Sequence, residues 1–122
     1  MSNTEAQNRD VLTKAAQAIY VDRDLATFAS FISDDEYVQH HDLLPDGKAA
    51  VVEYLGGIIE KNPYIGEVLH ILIDGDLGAV HSIVKEESGE LRGSVVDLFR
   101  IRDGKLVEHW DILSYTADPV QS

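Results

Sequence analysis

The chain has 122 residues, 44% of them apolar, and its 22 acidic side chains outweigh 10 basic ones for a formal charge of −12. That length supports one core and not two. The acidic balance argues against nucleic acid, whose phosphates need clustered Lys and Arg.

The absence of cysteine removes disulfides, thiol nucleophiles and Cys-ligated zinc together. No apolar run approaches the ~20 residues of a membrane span. Met1-Ser2-Asn3-Thr4-Glu5 lacks the basic-then-apolar pattern of a signal segment, so a cytoplasmic protein with no membrane partner is expected. No repeat, low-complexity tract or Pro/Gly/Ser-rich linker divides the sequence, so residues 1–122 read as a single domain with its core over about 5–115.

Helices come first. Thr4 with Gln7 has capping-box spacing, and Val11, Leu12, Ala15, Ala16 and Ile19 follow at helical intervals. A second helix is expected from Asp22 or Asp24, with Leu25, Phe28, Ala29 and Ile32 on one stripe. A short extended piece, Tyr37-Val38-Gln39-His40, follows. Asp46-Gly47 then opens a third helix carrying Val51, Val52, Leu55, Ile58 and Ile59, stopped by Asn62-Pro63. Its Gly56-Gly57 pair costs ~1 kcal/mol per glycine in a helix interior, which predicts either a kink or a close neighbouring backbone.

Strands come second: Glu67–Ile73, Leu77–Lys85, Arg92–Arg102 and Lys105–Tyr115 are rich in Val, Ile and Leu. Asp74-Gly75-Asp76, Glu86–Glu90 and Asp103-Gly104 join them as hairpin connections. The predicted class is α+β, with helices packed on one face of a curved antiparallel sheet.

The chemistry depends on the register of the last hairpin. A two-residue turn at Asp103-Gly104 sets Arg102 opposite Lys105, whereas a three-residue turn sets Ile101 there. The second is preferred. It gathers Asp97, Phe99, His109 and Asp111 on one apolar face, sets Asp97 opposite His109, and leaves Arg100 and Glu108 near enough to pair diagonally on the other.

Four stretches resemble the SnoaL-like polyketide cyclase group of the NTF2-like superfamily: Tyr37-Val38-Gln39-His40, Leu44-Pro45-Asp46-Gly47-Lys48, Val96-Asp97-Leu98-Phe99-Arg100 and Asp103 to Asp111. The last, with Glu108-His109-Trp110-Asp111, is the most specific. The resemblance implies an α+β cone, in which a strongly bent sheet wraps the N-terminal helices around a deep pocket. It also implies frequent dimers through the outer sheet face, and an acidic acid/base residue for which Asp111 is the best match. Related pockets host ketosteroid isomerases and limonene epoxide hydrolases, so the fold predicts a pocket better than a reaction. Two positions depart from the pattern. His41-Asp42 stands where an Asn-Pro-like continuation is expected, and Ala79 stands where epoxide hydrolases carry arginine.

The expected function is therefore that of a small-molecule enzyme without a cofactor. It would transfer a proton next to a carbonyl, giving isomerisation or aldol-type cyclisation of a small apolar ligand. Asp111 is the expected acid or base. His109 is expected to polarise an enolate oxygen through one ring nitrogen while Asp97 fixes the other. Tyr37, Gln39, His81 and His41 are expected ligand contacts, of which at most one of His40 and His41 can face the pocket. His70, with no evident partner, is expected to be idle.

A metal set of His81, His109 and an Asp lacks any HxH or HxxxH spacing, so no metal is expected. Trp110, Leu98 and Ile112 should face outward as a homodimer surface. The alternatives are a binding or interaction module without catalysis, and hydrolysis by water held between Asp97 and Asp111.

Overall fold

The computed structural model describes residues 2–41, 44–61 and 64–115. Helix α1 spans Ser2–Ala16 and runs directly into a π-helical turn, Gln17–Asp22, which ends on Arg23 in the left-handed region (φ 52°). Because α1 already includes Ser2, Thr4 is inside the helix and does not cap it. Helix α2 (Leu25–Ser30) begins where the sequence suggested, with the Asp24 carboxylate accepting from Thr27 N at 3.1 Å. After a two-residue strand β1 (Val38–Gln39), helix α3 spans Lys48–Lys61 without interruption. Its expected stop, Asn62-Pro63, lies outside the described residues.

Strands β2 (Ile65–Asp74), β3 (Leu77–Lys85), β4 (Leu91–Arg102) and β5 (Lys105–Tyr115) form an antiparallel meander. β1 adds in parallel to β5, so the sheet order is β1-β5-β4-β3-β2. Inward residues alternate with outward ones along each strand. Val80, Phe99, Ile101 and Leu106 join Leu12, Ala15 and Ala16 of α1 and Phe28 of α2 in one buried core.

The last hairpin takes neither register in full. Asp103 and Gly104 both have positive φ, 52° and 76°, the signature of a two-residue type I′ turn, and Arg102 does pair with Lys105. That overturns the preferred three-residue turn. The ladder then slips: Ile101 pairs with Leu106 but Arg100 pairs with Glu108, leaving Val107 as the extra residue of a bulge. Both Leu106 and Val107 are buried, which gives the insertion its stabilising contacts. Beyond the bulge the strand parity matches the preferred grouping, so Asp97, Phe99, His109 and Asp111 do share the inner face. Their partners differ, however. Asp97 stands opposite Asp111, Phe99 opposite His109, and Arg100 directly opposite Glu108 rather than diagonal to it.

Three glycines show where the layers meet closely and where they do not. A Cβ on Gly66 would lie 2.3 Å from the Tyr20 carbonyl oxygen, so only glycine lets β2 run against the π-helical turn. Gly57 of α3 has nothing within 4 Å, and Gly56 meets only Leu25 Cδ2 at 3.4 Å. Among the described residues no neighbouring backbone therefore requires the pair. Gly66→Ala should lower the unfolding free energy by about 1–3 kcal/mol, and Gly57→Ala should raise it by up to ~1 kcal/mol. Urea titrations followed by circular dichroism check both; equal effects would contradict the packing described.

Candidate active site

Between the inner face of the sheet and helices α2 and α3 lies a mostly apolar cavity of about 370 Å³, reached by Tyr20, Tyr37, Gln39, His41, Asp97, His109 and Asp111. Four elements bring its polar groups together. β4 and β5 supply Asp97, His109 and Asp111 on one face. The parallel pairing of β1 sets Gln39 beside His109. The π-helical turn carries Tyr20 across to the opposite wall.

His109 is buried and holds an acceptor at each ring nitrogen. Nδ1 lies 2.7 Å from Gln39 Oε1, and Nε2 lies 2.9 Å from Asp97 Oδ1. Gln39 Oε1 also accepts from the backbone N–H of His41 at 3.2 Å, which fixes the amide with its oxygen toward the imidazole. Nδ1 must then donate, and the remaining hydrogen bond places one proton between Nε2 and the Asp97 carboxylate. The ring is flanked by Phe99 at 4.8 Å and by Tyr37 at 6.4 Å between centroids. The expectation that one nitrogen faces a ligand is thus corrected: both are occupied, so His109 cannot polarise a ligand oxygen from this position.

The other oxygen of Asp97 accepts from the Tyr20 hydroxyl. Sequence reading missed Tyr20, although it continues the Leu12–Ala16 stripe at four-residue spacing. Burial, reinforced by the Asp97 charge and its hydrogen bond, raises the Tyr20 pKa well above the ordinary 10.0. Burial first, then the Asp97 and Asp111 charges, raises the Tyr37 pKa in the same way. Both phenols therefore remain donors. Among the described residues the Tyr37 hydroxyl makes no hydrogen bond, and it shares the cavity wall with Asp97 and Asp111.

Asp111 faces the cavity with its side chain 17% exposed, and His41 Nε2 is 4.0 Å from its carboxylate. His40 points the other way, to Glu108 at 2.8 Å and onto the face of Trp110 at 4.7 Å, so His41 is the cavity member of the pair. His81 is not in the cavity. Val80 and Val84 of β3 line it, which puts His81 on the outer face, against His70. His70 accordingly does have a partner. Ala79 pairs with Leu98 on that outer face and says nothing about the chemistry inside.

Asp97, His109 and Asp111 offer ligand-capable atoms within 4.8 Å of one another, a different set from the His81-containing one considered from sequence. Both Asp97 oxygens already hold Tyr20 and His109, which favours a proton relay over an ion there. Among the described residues no helix is long and apolar enough to cross a membrane.

Residues 13–109 match the SnoaL-like domain. The chain belongs to this family. Solved structures with the same fold include an NTF-2 like protein of unknown function from Burkholderia xenovorans LB400. It is 19% identical, with a TM-score of 0.76 over 94% of this chain and 88% of that one. A candidate SnoaL-like polyketide cyclase from Jannaschia sp. CCS1 is 16% identical, with a TM-score of 0.75 over 93% and 90%. AclR, a candidate hydroxylase from Streptomyces galilaeus, is 22% identical, with a TM-score of 0.71 over 90% and 80%. No curated protein sequence matches the chain. The SnoaL-like assignment confirms the family, and these neighbours share the NTF2-like α+β architecture read from the sequence.

Because Tyr20 and Tyr37 keep their protons in the folded state while unfolded tyrosine loses its proton near the ordinary value of 10.0, the unfolded chain binds fewer protons above that pH. Stability from both should be complete below pH ~10 and fall as pH rises further, by up to about 1.4 kcal/mol per pH unit for each tyrosine. Urea unfolding at stepped alkaline pH should show this slope, and Tyr20→Phe should make it shallower. A flat profile would contradict the burial of these hydroxyls.

Proposed function

We propose that this SnoaL-like protein is a small-molecule enzyme that moves a proton next to a carbonyl, leading to isomerisation or aldol-type cyclisation. The observation that carries the reading is the Asp111 carboxylate on the wall of an apolar cavity, with Asp97 directly opposite on β4. Asp111 takes the proton from the carbon adjacent to the carbonyl, and charge develops on the carbonyl oxygen. The Tyr37 hydroxyl, held protonated by burial, donates to that oxygen in the manner of an oxyanion hole. Gln39 Nε2, buried and unpartnered among the described residues, is a second donor, and a ligand oxygen there would offset a cost of about 1–3 kcal/mol. His109 positions Gln39 and Asp97 without touching the reacting atoms. His41, beside Asp111, returns or accepts protons at the cavity mouth.

The pairing of Asp97 with Asp111 also favours a second reading, in which the two carboxylates hold a water for hydrolysis of an epoxide or similar electrophile. Incorporation of labelled water oxygen into product separates that reaction from isomerisation. Family membership and the candidate polyketide cyclase among the structural neighbours support small-molecule chemistry in either case. Outward-facing Leu72 and Ile112, each 65% exposed, support a homodimer through the outer sheet face, although Trp110 is partly covered by its own His40 and Arg100. A monomer by sedimentation at micromolar concentration would remove the dimer.

Exchange of α-protons for deuterium in a panel of apolar ketones, followed by NMR, tests the main reading without a known substrate. Asp111→Asn should leave the thermal midpoint in place and slow exchange by about 10²–10⁴-fold. Chelator treatment should change nothing. Equal rates in the variant and wild type would sink the role of Asp111, and no exchange of any ketone would favour a binding module.

A further inference from the structure

We propose that His70 and His81 form a two-imidazole site for a divalent transition-metal ion on the outer face of the sheet. The two residues are direct partners across β2 and β3. Their Nδ1 atoms lie 3.0 Å apart, with ring planes within 4° of parallel. Two imidazole nitrogens bound to one ion at about 2.0–2.1 Å stand roughly 2.9 Å apart at a right angle and about 3.3 Å apart at the tetrahedral angle. The observed spacing falls inside that interval, and ligation replaces the present Nδ1 to Nδ1 contact as the rings turn to bring both lone pairs onto the ion.

An irregularity in the chain creates this juxtaposition. Val68 pairs with Ser82, yet His70 pairs with His81, leaving Leu69 as the extra residue of a bulge. In an unbroken ladder Leu69 would oppose His81, and His70 would turn toward the core beside Val80. The bulge re-aims His70 outward, beside the other histidine. The row continues through Val96 and Ile112, so apolar groups flank the pair on the β4 side. Unprotonated imidazole suits copper, nickel and zinc, and a formal charge of −12 concentrates cations around the molecule. Two protein ligands leave further positions on the ion for water or for a group from outside the chain. This site is separate from the cavity and does not depend on the reaction proposed there.

The test is titration of tag-free protein with zinc chloride by calorimetry, with copper(II) electron paramagnetic resonance to count bound nitrogens. One zinc per chain, or one per two chains if copies share the ion, supports the site. His70→Ala and His81→Ala should each weaken zinc binding by at least about tenfold, as expected when chelation falls to one imidazole. Each should also reduce the copper signal from two nitrogens to one. His40→Ala, on the same face but hydrogen-bonded to Glu108, should bind as wild type does. Because His70 is exposed and His81 half-buried on the surface, circular dichroism of the variants serves as the folding control. Absence of zinc uptake would overturn the proposal. So would uptake that survives His81→Ala but is lost in Asp111→Asn, since the ion would then belong to the cavity.

Discussion

The site rests on one buried imidazole held between two acceptors. His109 cannot satisfy Gln39 Oε1 and Asp97 Oδ1 together unless Nδ1 carries a hydrogen and the Asp97 contact holds another. The side chains bonded to it are arranged by that demand. Gln39 is oriented by His109 and by the His41 backbone, and Asp97 by His109 and Tyr20. The parallel strand that delivers Gln39 is itself tied down, through Gln39 N to the Asp46 carboxylate at 2.8 Å and His40 N to the His109 carbonyl at 3.0 Å. In an apolar enclosure such a network is stable only when its members are paired, and the exception here, Gln39 Nε2, points to what a ligand would add.

Backbone irregularities do much of the positioning. The Val107 bulge in β5 converts a type I′ turn, which alone would put His109 on the opposite face, into a ladder that turns His109 and Asp111 inward. The Leu69 bulge does the reverse for His70. The π-helical turn brings Tyr20 against Gly66, so a glycine on β2, remote in sequence, sets the second hydrogen bond to Asp97. The placing of His109, Asp111 and Tyr20 in the cavity therefore depends on local backbone insertions.

This explains which parts were legible in the sequence. Element types and order followed from apolar periodicity and from glycine-containing connections, and the Asp24 cap from its residue type. Grouping of Asp97 with His109 and Asp111 rested on a three-residue turn that the chain does not form, so only the alternation along each of β4 and β5 was legible. The pairing partners were not, since a bulge leaves no reliable mark when the inserted residue is a valine like those around it. β3 was illegible for a related reason: Val80 and Val84 on one face are as apolar as Ala79 and Ile83 on the other, so His81 could be placed on either side. The occupancy of both His109 nitrogens depended on the side-chain position of Gln39, seventy residues away, which no local pattern encodes. Tyr20 was within reach of the helical stripe, one turn beyond Ala16, but its hydrogen bond to Asp97 spans 77 residues and no local pattern encodes it.

The imidazole between two acceptors is most directly tested by ¹⁵N-resolved NMR of the His109 ring in the intact protein. Hydrogens should be found bonded at or shared with both ring nitrogens, each protected from solvent exchange, and the Nδ1 hydrogen should lose its protection in Gln39→Leu. A ring carrying a single, rapidly exchanging N–H would contradict this arrangement.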